Sequence, residues 1–560
     1  MQTSTRKSMF PGKYPLLRIT FLMFLHCLLL SLSWQSKETA FLVFFSFVPY
    51  FFLLEAGVKS YNQRLLSYIL GFLVVFFAVY FTSYWIRNVN SSAHLGTAIY
   101  RGATLFVPLA LGLFLKFNMK KSTRVSMIGF IAGWIIIEIL HDLNILGLPY
   151  GNLGHVLGAY PGIIQWYSVA GAIGGTLWIF AINSAMYLLL DQYVVRRMNS
   201  PHTVRWLVVT TIIAVVPLLS SILMQHAASS MQKSPTLAMA VHTSADVYDY
   251  KYEAEPFELL NSYLAITLAD LESPSESPDS ALSTLVFWPE NALTGAIDFS
   301  RPDDSPQVQM IKEFLGSHGD IALITGAIAE ERIEAPKQEK LPLNINYNEE
   351  GNYYFRTYNT ALYIRAHAPT EIKVKKRLVP FTEKIPENLL LRPLVALVPN
   401  LAELNFSSRG NEYISFSNAD STLRTTPVIC YGSVFSTFTA REIRESGSNY
   451  MAVIMNEGWM LSRKAHLHFT WFSVCRAVEN RRFLVKSSNE GLTALVDARG
   501  RVLDSRQEDE EGTILGLIDI NEQHTFYTKH HQALLLLILT VSLVAIGIIV
   551  YPGFKGKRAD

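Results

Sequence analysis

The feature that most constrains this chain is a series of apolar runs long enough to cross a lipid bilayer. A transmembrane helix needs about 20 mostly apolar residues, and the first part of the chain contains runs of that length one after another. We predict eight spans, over 15–34, 39–57, 65–86, 99–115, 125–142, 163–190, 204–224 and 532–551. The chain is therefore expected to be a multi-pass membrane protein.

Between the seventh and eighth spans the sequence has the composition of a globular domain. Half of the 560 residues are hydrophobic, and the mean hydropathy of +0.22 is explained by the spans. A net charge of +2 argues against a nucleic-acid partner. We predict seven transmembrane helices in 1–226, one domain in 227–528, and a final helix with a cytoplasmic tail in 529–560.

The basic residues of the loops orient the spans. Lys and Arg are concentrated at the N-terminus, in or beside alternate loops and in the tail: Arg6, Lys7, Lys13, Arg18, Lys59, Arg64, Lys116, Lys120, Lys121, Arg124, Arg196, Arg197, Arg205, Lys555, Lys557 and Arg558. Loops rich in these residues stay on the cytoplasmic side. Both termini are thus predicted to be cytoplasmic, and seven crossings place the domain outside.

The domain alternates apolar runs with amphipathic stretches. The runs at 283–291, 320–329, 359–366, 425–430, 450–459, 482–491 and 492–503 predict strands, and those at 305–317, 433–446 and 465–481 predict helices. Strands that alternate with helices indicate an α/β or α+β sandwich. Functional residues often follow strand ends in such folds.

Three side chains at strand ends suggest one kind of chemistry. Glu290 follows "STLVFWP", Lys375 lies in "KVKKRLVPF", and Cys430 ends "TTPVIC" where a helix is predicted to begin. A carboxylate can take the thiol proton, the thiolate can attack a carbonyl, and an ammonium can hold the resulting oxyanion. A helix N-terminus would favour the thiolate. On spacing alone, surface charges around a buried cysteine explain the same residues.

The stretches "FWPEN", "KKRLVPFTEKIPE", "PVICYGSVF", "MNEGWM" and "CRAVENRRFLVKSSNEGLTALVDARGRV" resemble the nitrilase superfamily, whose members use a Glu-Lys-Cys triad. The flanking spans, and 146–183 in particular, are similar to its membrane branch, the apolipoprotein N-acyltransferases. The resemblance implies a nitrilase-like α-β-β-α sandwich on the extracytoplasmic side of the membrane. It covers about residues 60–530 and keeps the order of the motifs.

The resemblance also implies roles for single residues. Glu290 matches the general base, Cys430 the nucleophile, and Glu383 the second glutamate. Lys375 matches the catalytic lysine. Two nearby lysines, Lys373 and Lys376, remain as alternatives for it.

The residues that follow the nucleophile depart from the family pattern. Tyr431 is the usual neighbour of the cysteine, but Gly432 replaces the glutamate of the usual Cys-Tyr-Glu. In "NEGW", Glu457 takes the acidic place. We expect Gly432 to slow the site without disabling it, and Glu457 to offset the loss.

The implied function is lipoprotein maturation in the inner membrane of a bacterium with two membranes. A phospholipid would donate an acyl chain to Cys430, and a diacylglyceryl apolipoprotein would accept it on its N-terminal amine. No cofactor, metal or nucleic acid is expected, and the protein is expected to act as a monomer. A membrane-bound amidase and a non-enzymatic lipid or lipoprotein binder are the alternatives.

Two further features are not part of the triad. Glu138 lies within a predicted span, and we expect it to tie the 143–162 loop rather than to react. The apolar stretch 392–404 is expected to form a rim or lid near the bilayer.

Overall fold

The computed structural model describes residues 15–55, 58, 60–195, 201–227, 232–248, 251–271, 283–334, 344–349, 351–380, 382–384, 406–507 and 510–551. The predicted lid 392–404 lies outside these residues. The chain divides into two compact units, residues 1–224 with 530–560 and residues 225–529.

The first unit is helical. Its helices are α1 (Pro15–Leu32), α2 (Val48–Glu55), α3 (Tyr61–Thr82), α4 (Ile86–Val89), α5 (Ser91–Phe117), α6 (Thr123–Asp142), α7 (Tyr167–Leu190) and α8 (Pro201–Ala227). A last helix of the chain, α13 (Phe526–Val550), belongs to this unit from His530 onward. The helices α8 and α13 leave many Leu, Val and Ile side chains exposed, as expected for surfaces that face lipid.

Seven stretches in the described residues are long and apolar enough to span a membrane. They are Lys37–Glu55, Tyr61–Thr82, Ser91–Phe117, Thr123–Asp142, Tyr167–Tyr193, Thr203–Gln225 and Phe526–Val550. These correspond to seven of the eight predicted spans. The first predicted span corresponds to the shorter apolar helix Leu16–Leu32, so the count of eight stays a prediction.

Glu138 has the structural role expected of it. Its carboxylate accepts the Trp134 indole N–H at 3.0 Å, the Leu153 backbone N–H at 2.7 Å and the Thr176 hydroxyl at 2.6 Å. The Asn152 amide donates to its backbone carbonyl at 3.2 Å. Since Asn152 and Leu153 belong to the 143–162 loop, Glu138 fixes that loop to α6 and α7.

The second unit is a two-sheet sandwich with helices. Its strands are β1 (Gln232–His242), β2 (Ser283–Phe287), β3 (Leu293–Asp298), β4 (Ile321–Ile333), β5 (Asn346–Asn348), β6 (Tyr353–Arg365), β7 (Glu371–Val374), β8 (Phe416–Ser417), β9 (Arg424–Thr425), β10 (Val428–Ile429), β11 (Met451–Asn456), β12 (Leu484–Asn489), β13 (Leu492–Val496), β14 (Val502–Gln507) and β15 (Gly512–Ile520). Its helices are α9 (Pro256–Leu271), α10 (Pro306–Ser317), α11 (Ser436–Ser446) and α12 (Arg463–Asn480).

Both large sheets are mixed. The first has the order β15-β1-β2-β4-β6-β5, with β3 beside β4 and β7 beside β6, and the second has the order β10-β11-β12-β13-β14. The central strands β1, β2 and β4 are parallel, as are β10, β11 and β12. β11 is a nearly continuous apolar run, which is typical of a parallel strand buried on both faces. β12 is equally buried, although its second half, "KSSN", is polar.

Two hydrophobic clusters, both of which include residues of the first sheet, form the core. One cluster packs apolar residues of the first sheet against those of the second, and the other packs the first sheet against α9 and α10. Helix α12 contacts β12 and β13 of the second sheet and also contacts α11. Glu290 lies shortly after the end of β2, and Cys430 directly follows β10. Both residues therefore lie at strand ends.

Candidate active site

Glu290 lies where strand ends of the two sheets meet. It follows β2, is 4% exposed, and its backbone N–H donates to the Met455 carbonyl of β11 at 3.3 Å. Its carboxylate oxygen Oε1 accepts from Lys375 Nζ at 2.7 Å, and Oε2 accepts from the Asn456 backbone N–H at 3.1 Å. Although burial opposes ionisation, the charge of Lys375 and these bonds hold the pKa of Glu290 below its usual value. Glu290 is therefore an ionised carboxylate.

Lys375 joins two glutamates. It follows β7, and its backbone N–H donates to the Asn359 carbonyl of β6 at 2.8 Å. Its ammonium donates to Glu290 Oε1 and to Glu383 Oε1, each at 2.7 Å. Burial disfavours the charged form, but the two carboxylates outweigh it and raise the pKa of Lys375 above its usual value. The lysine thus stays an ammonium held between carboxylates.

Asn359 is a member of this cluster that the sequence interpretation missed. Its amide Nδ2 donates to Glu290 Oε1 at 2.8 Å and to Glu383 Oε1 at 2.9 Å. Because ionised carboxylates only accept, the nitrogen side of the amide must face them. The signal in the sequence was a polar residue at the head of the apolar run "NTALYI".

Cys430 stands in a strained turn beside the base. It follows β10 and begins a five-residue 3-10 turn, Cys430–Val434, with φ +46°. A left-handed backbone at a residue other than glycine costs on the order of 1–3 kcal/mol. The thiol lies close enough to the Glu290 carboxylate for the two groups to interact. Strain and this contact are features expected of a reactive group.

The resting state of Cys430 differs from the sequence expectation. Helix α11 begins only at Ser436, after the 3-10 turn, so its N-terminus does not directly follow the cysteine. Burial and the charge of Glu290 raise the pKa of the Cys430 thiol well above its usual value, and Lys375 only partly opposes them. The cluster therefore holds a thiol against an ionised carboxylate, and the thiolate must form by transfer of the proton.

A buried ion pair of α12 contacts the end of the Cys430–Val434 turn. Arg476 of α12 donates to the Val434 carbonyl at 3.0 Å and pairs with Glu479 at 2.6 Å. Glu479 also accepts the Ser436 hydroxyl at 2.6 Å. Both residues of the pair are fully buried. The neighbouring Cys475 is also fully buried, as expected of a packing residue.

The two alternative lysines lie in another cluster. Lys373 Nζ donates to Glu442 Oε2 at 2.7 Å and to the Pro427 carbonyl at 2.8 Å. Lys376 Nζ donates to Glu442 Oε1 at 2.9 Å. The ion pairs found within the described residues thus connect Lys375, and neither neighbour, to Glu290.

Tyr431 and Gly432 are both buried in the turn. The Tyr431 ring packs edge-on against Phe435 with centroids 5.0 Å apart. A Cβ added at Gly432 would lie 2.9 Å from the Phe438 ring and 3.2 Å from Val428 Cγ1. A glutamate at this position therefore requires Phe438 to move.

Glu457 is held by partners on the two strands that follow it. Its carboxylate accepts from Lys486 Nζ at 2.8 and 2.9 Å, from the Ser488 hydroxyl at 2.8 Å and from the Leu492 backbone N–H at 3.2 Å. These bonds fix β11 to the β12–β13 hairpin. Glu457 is thus committed to Lys486, and this geometry does not support its replacing a carboxylate at Gly432.

Comparison with known proteins agrees with this architecture. A model of the apolipoprotein N-acyltransferase N-terminal domain matches residues 27–185, and the carbon-nitrogen hydrolase model matches residues 264–525. Among similar proteins, the apolipoprotein N-acyltransferase of Geobacter metallireducens is 23% identical over 90% of this chain and 89% of its own length. Those of Chlorobaculum tepidum (23%, 76% and 77%) and Rickettsia prowazekii (24%, 74% and 75%) are also similar. The chain therefore belongs to the apolipoprotein N-acyltransferase family of the nitrilase superfamily and is an acyltransferase.

Proposed function

We propose that the protein moves an acyl chain from a phospholipid, through a Cys430 thioester, to the N-terminal amine of diacylglyceryl-cysteine on apolipoproteins. The observation that carries the proposal is the contact of one carboxylate, Glu290, with both a cysteine thiol and a lysine ammonium. Curated relatives named apolipoprotein N-acyltransferase support the lipoprotein acceptor.

In the first half-reaction, Glu290 takes the thiol proton as Cys430 attacks the ester carbonyl of the phospholipid. The carbonyl oxygen becomes an oxyanion, which the Lys375 ammonium stabilises by charge and hydrogen bonding. The C–O bond then breaks, and protonated Glu290 returns the proton to the leaving alkoxide. The products are a thioester on Cys430 and a lysophospholipid.

In the second half-reaction, the neutral α-amine of the diacylglyceryl-cysteine attacks the thioester. Glu290 takes a proton from the attacking nitrogen, and Lys375 again holds the oxyanion. The C–S bond breaks, the proton passes to the sulfur, and the Cys430 thiol is restored. An amide forms, so the acceptor leaves as an N-acylated lipoprotein.

The division of roles between the two glutamates follows from their contacts. Glu290 contacts both the thiol and Lys375, whereas Glu383 contacts Lys375 and accepts the Val379 backbone N–H at 2.7 Å. Glu383 therefore positions the lysine and the loop after it. Tyr431 and Gly432 shape the turn that presents the thiol.

We place the reaction on the periplasmic side of a bacterial inner membrane. We propose that the chain crosses the membrane eight times. Residues 1–226 form the membrane domain, 227–528 form the catalytic domain, and 529–560 form the last helix and tail. Both substrates are lipids, so a domain attached to the membrane at both ends keeps its site near them. One protomer carries Glu290, Lys375 and Cys430, which is why we propose a monomer.

The test is acyl transfer between two defined substrates. The purified protein is incubated with a phospholipid that carries one isotope-labelled acyl chain and with a peptide that begins with diacylglyceryl-cysteine. We expect the label on the peptide amine, together with lysophospholipid. The same peptide with an acetylated N-terminus is the matched control and should remain unlabelled.

Two other results would contradict the proposal. Labelled free fatty acid, formed at the same rate with and without the peptide, would identify a hydrolase of the amidase type. Binding of phospholipid with no lysophospholipid formed would identify a lipid-binding paralogue that the change at Gly432 has disabled.

A further inference from the structure

The segment that carries Lys375 is fixed at both sides by lysines that do not reach Glu290. Lys373 and Lys375 lie two residues apart on extended backbone, so their side chains leave the same face. Lys376 follows directly. Whatever holds Lys373 and Lys376 therefore sets the position of the backbone that carries Lys375.

A single carboxylate, Glu442, holds both flanking lysines. It lies on α11, the helix that follows the Cys430 turn, and its side chain is fully buried. Each of its two carboxylate oxygens pairs with one lysine ammonium: Oε2 lies 2.7 Å from Lys373 Nζ, and Oε1 lies 2.9 Å from Lys376 Nζ. These lysine side chains are only 3% and 8% exposed, so each needs a buried counter-charge.

The same cluster reaches the segment that precedes the nucleophile. Lys373 Nζ also donates to the Pro427 carbonyl at 2.8 Å and to the Thr426 hydroxyl. Pro427 comes directly before β10, and Cys430 directly follows that strand. Glu442 and Lys373 thus connect the segment of Lys375 to the chain on both sides of the Cys430 turn.

A small cavity shows that position 432 faces this cluster. The cavity is lined chiefly by Lys373, Lys375, Lys376, Arg377, Gly432 and Phe438. Its charged lining residues are all cationic. A glutamate side chain at position 432 would enter this cavity and meet the same lysines that Glu442 now pairs.

We propose that Glu442 is a positioning residue for acyl transfer: it sets the distance between Lys375 and Cys430, and it supplies from α11 the carboxylate that Gly432 does not provide. This rests on the proposed function, because the distance matters only if both residues act on one carbonyl. Misplacing a catalytic group by about 1 Å can cost on the order of 10²-fold in rate. Loss of Glu442 should therefore slow thioester formation without weakening phospholipid binding.

The experiment compares Glu442→Gln with a rescue variant that places a carboxylate at position 432 instead of position 442. The rescue is Gly432→Glu with Phe438→Leu in the Glu442→Gln background, since the Phe438 ring would lie 2.9 Å from the new Cβ. Glu445→Gln on the same helix is the matched control, because Glu445 is 38% exposed and pairs with Arg444.

The readout is single-turnover acylation of Cys430 by phospholipid vesicles, followed by intact mass. We expect Glu442→Gln to lower the rate constant by roughly 10- to 100-fold, with an unchanged half-saturating phospholipid concentration and the same final fraction of acylated protein. The rescue variant should return to within about 3-fold of the wild type, and Glu445→Gln should match the wild type.

Other outcomes would overturn the inference. A reduced final fraction with an unchanged rate constant would mean that Glu442 serves folding alone. A rescue variant as slow as Glu442→Gln would mean that the carboxylate does not act by holding the lysines. If Glu442→Gln does not fold, the rescue variant decides, since a folded and active rescue supports the inference and an unfolded or inert one contradicts it. Wild-type acylation, measured alongside, tests the proposed function separately.

Discussion

Replacing Lys375 with methionine should affect both the base and the oxyanion donor. Glu290 and Glu383 each place Oε1 at 2.7 Å from the Lys375 ammonium and within 2.9 Å of the Asn359 amide. Without the cation, the buried Glu290 carboxylate and the partly buried Glu383 carboxylate beside it cannot both stay ionised near neutral pH, and one takes a proton. Loss of one oxyanion donor alone costs about 10²- to 10³-fold. We therefore expect at least ~10³-fold slower acylation of Cys430, about 4 kcal/mol of barrier.

The assay is the single-turnover acylation rate of folded protein, measured across pH. Lys375 and the hydrogen bonds hold the pKa of Glu290 below its usual value in the wild type, so activity should fall only at acid pH. In Lys375→Met the shared proton should move this loss toward neutral pH. Lys486→Met is the control, because Lys486 is an equally buried lysine that pairs with Glu457 at 2.8 Å. Acylation by Lys375→Met within about ten-fold of the wild type, with an unchanged pH profile, would contradict this prediction.

Three further predictions concern stability and topology. Burial lowers the pKa of Lys251 to about 7 from 10.5, so the folded protein carries an unfavourable charge below pH 7 and loses this cost as pH rises toward 10.5. Lys251→Met should therefore raise the free energy of unfolding, relative to the wild type, by ~4 kcal/mol more at pH 6 than at pH 10; an equal difference at both pH values would contradict this. Glu138→Leu should destabilise the protein by about 3 kcal/mol in chemical denaturation, because three buried donors lose their acceptor, while the acylation rate of the folded fraction stays unchanged. Reporters fused after residue 230 should read periplasmic and those at 120, 200 and 560 cytoplasmic, and a cytoplasmic reading at 230 would remove the lipoprotein proposal.

The strands that precede the site residues could be predicted from the sequence, because each is a short apolar run that is followed by polar residues. The runs before Glu290 and Cys430 end as β2 and β10, and the predicted helix 465–481 is α12, which begins two residues earlier. Local sequence is enough here, since burial on both faces requires continuous apolar residues.

The choice among three lysines was not available from local sequence. Lys373, Lys375 and Lys376 are all basic, all near one strand end, and equally able to form an ion pair. Only the tertiary structure separates them, because Glu442 lies 69 residues from Lys373 along the chain. The resemblance pointed to Lys375, and its contacts with Glu290 and Glu383 support that assignment.

The protonation state of the Cys430 thiol also could not be predicted from the sequence pattern. An apolar strand followed by a predicted helix favoured a thiolate. In the fold, a 3-10 turn comes first, and burial together with the Glu290 charge raises the pKa of the thiol. Such a balance depends on distances between groups that are far apart in sequence.

Formation of a thioester on Cys430 can be measured by intact mass after incubation with phospholipid vesicles. With no acceptor present, the wild type should gain the mass of one acyl chain in place of the thiol hydrogen, on a peptide that contains Cys430. The adduct should persist in Cys475→Ala and be absent from Cys430→Ala. An adduct that survives Cys430→Ala, or a wild type that gains no acyl chain while the phospholipid is consumed, would contradict the account.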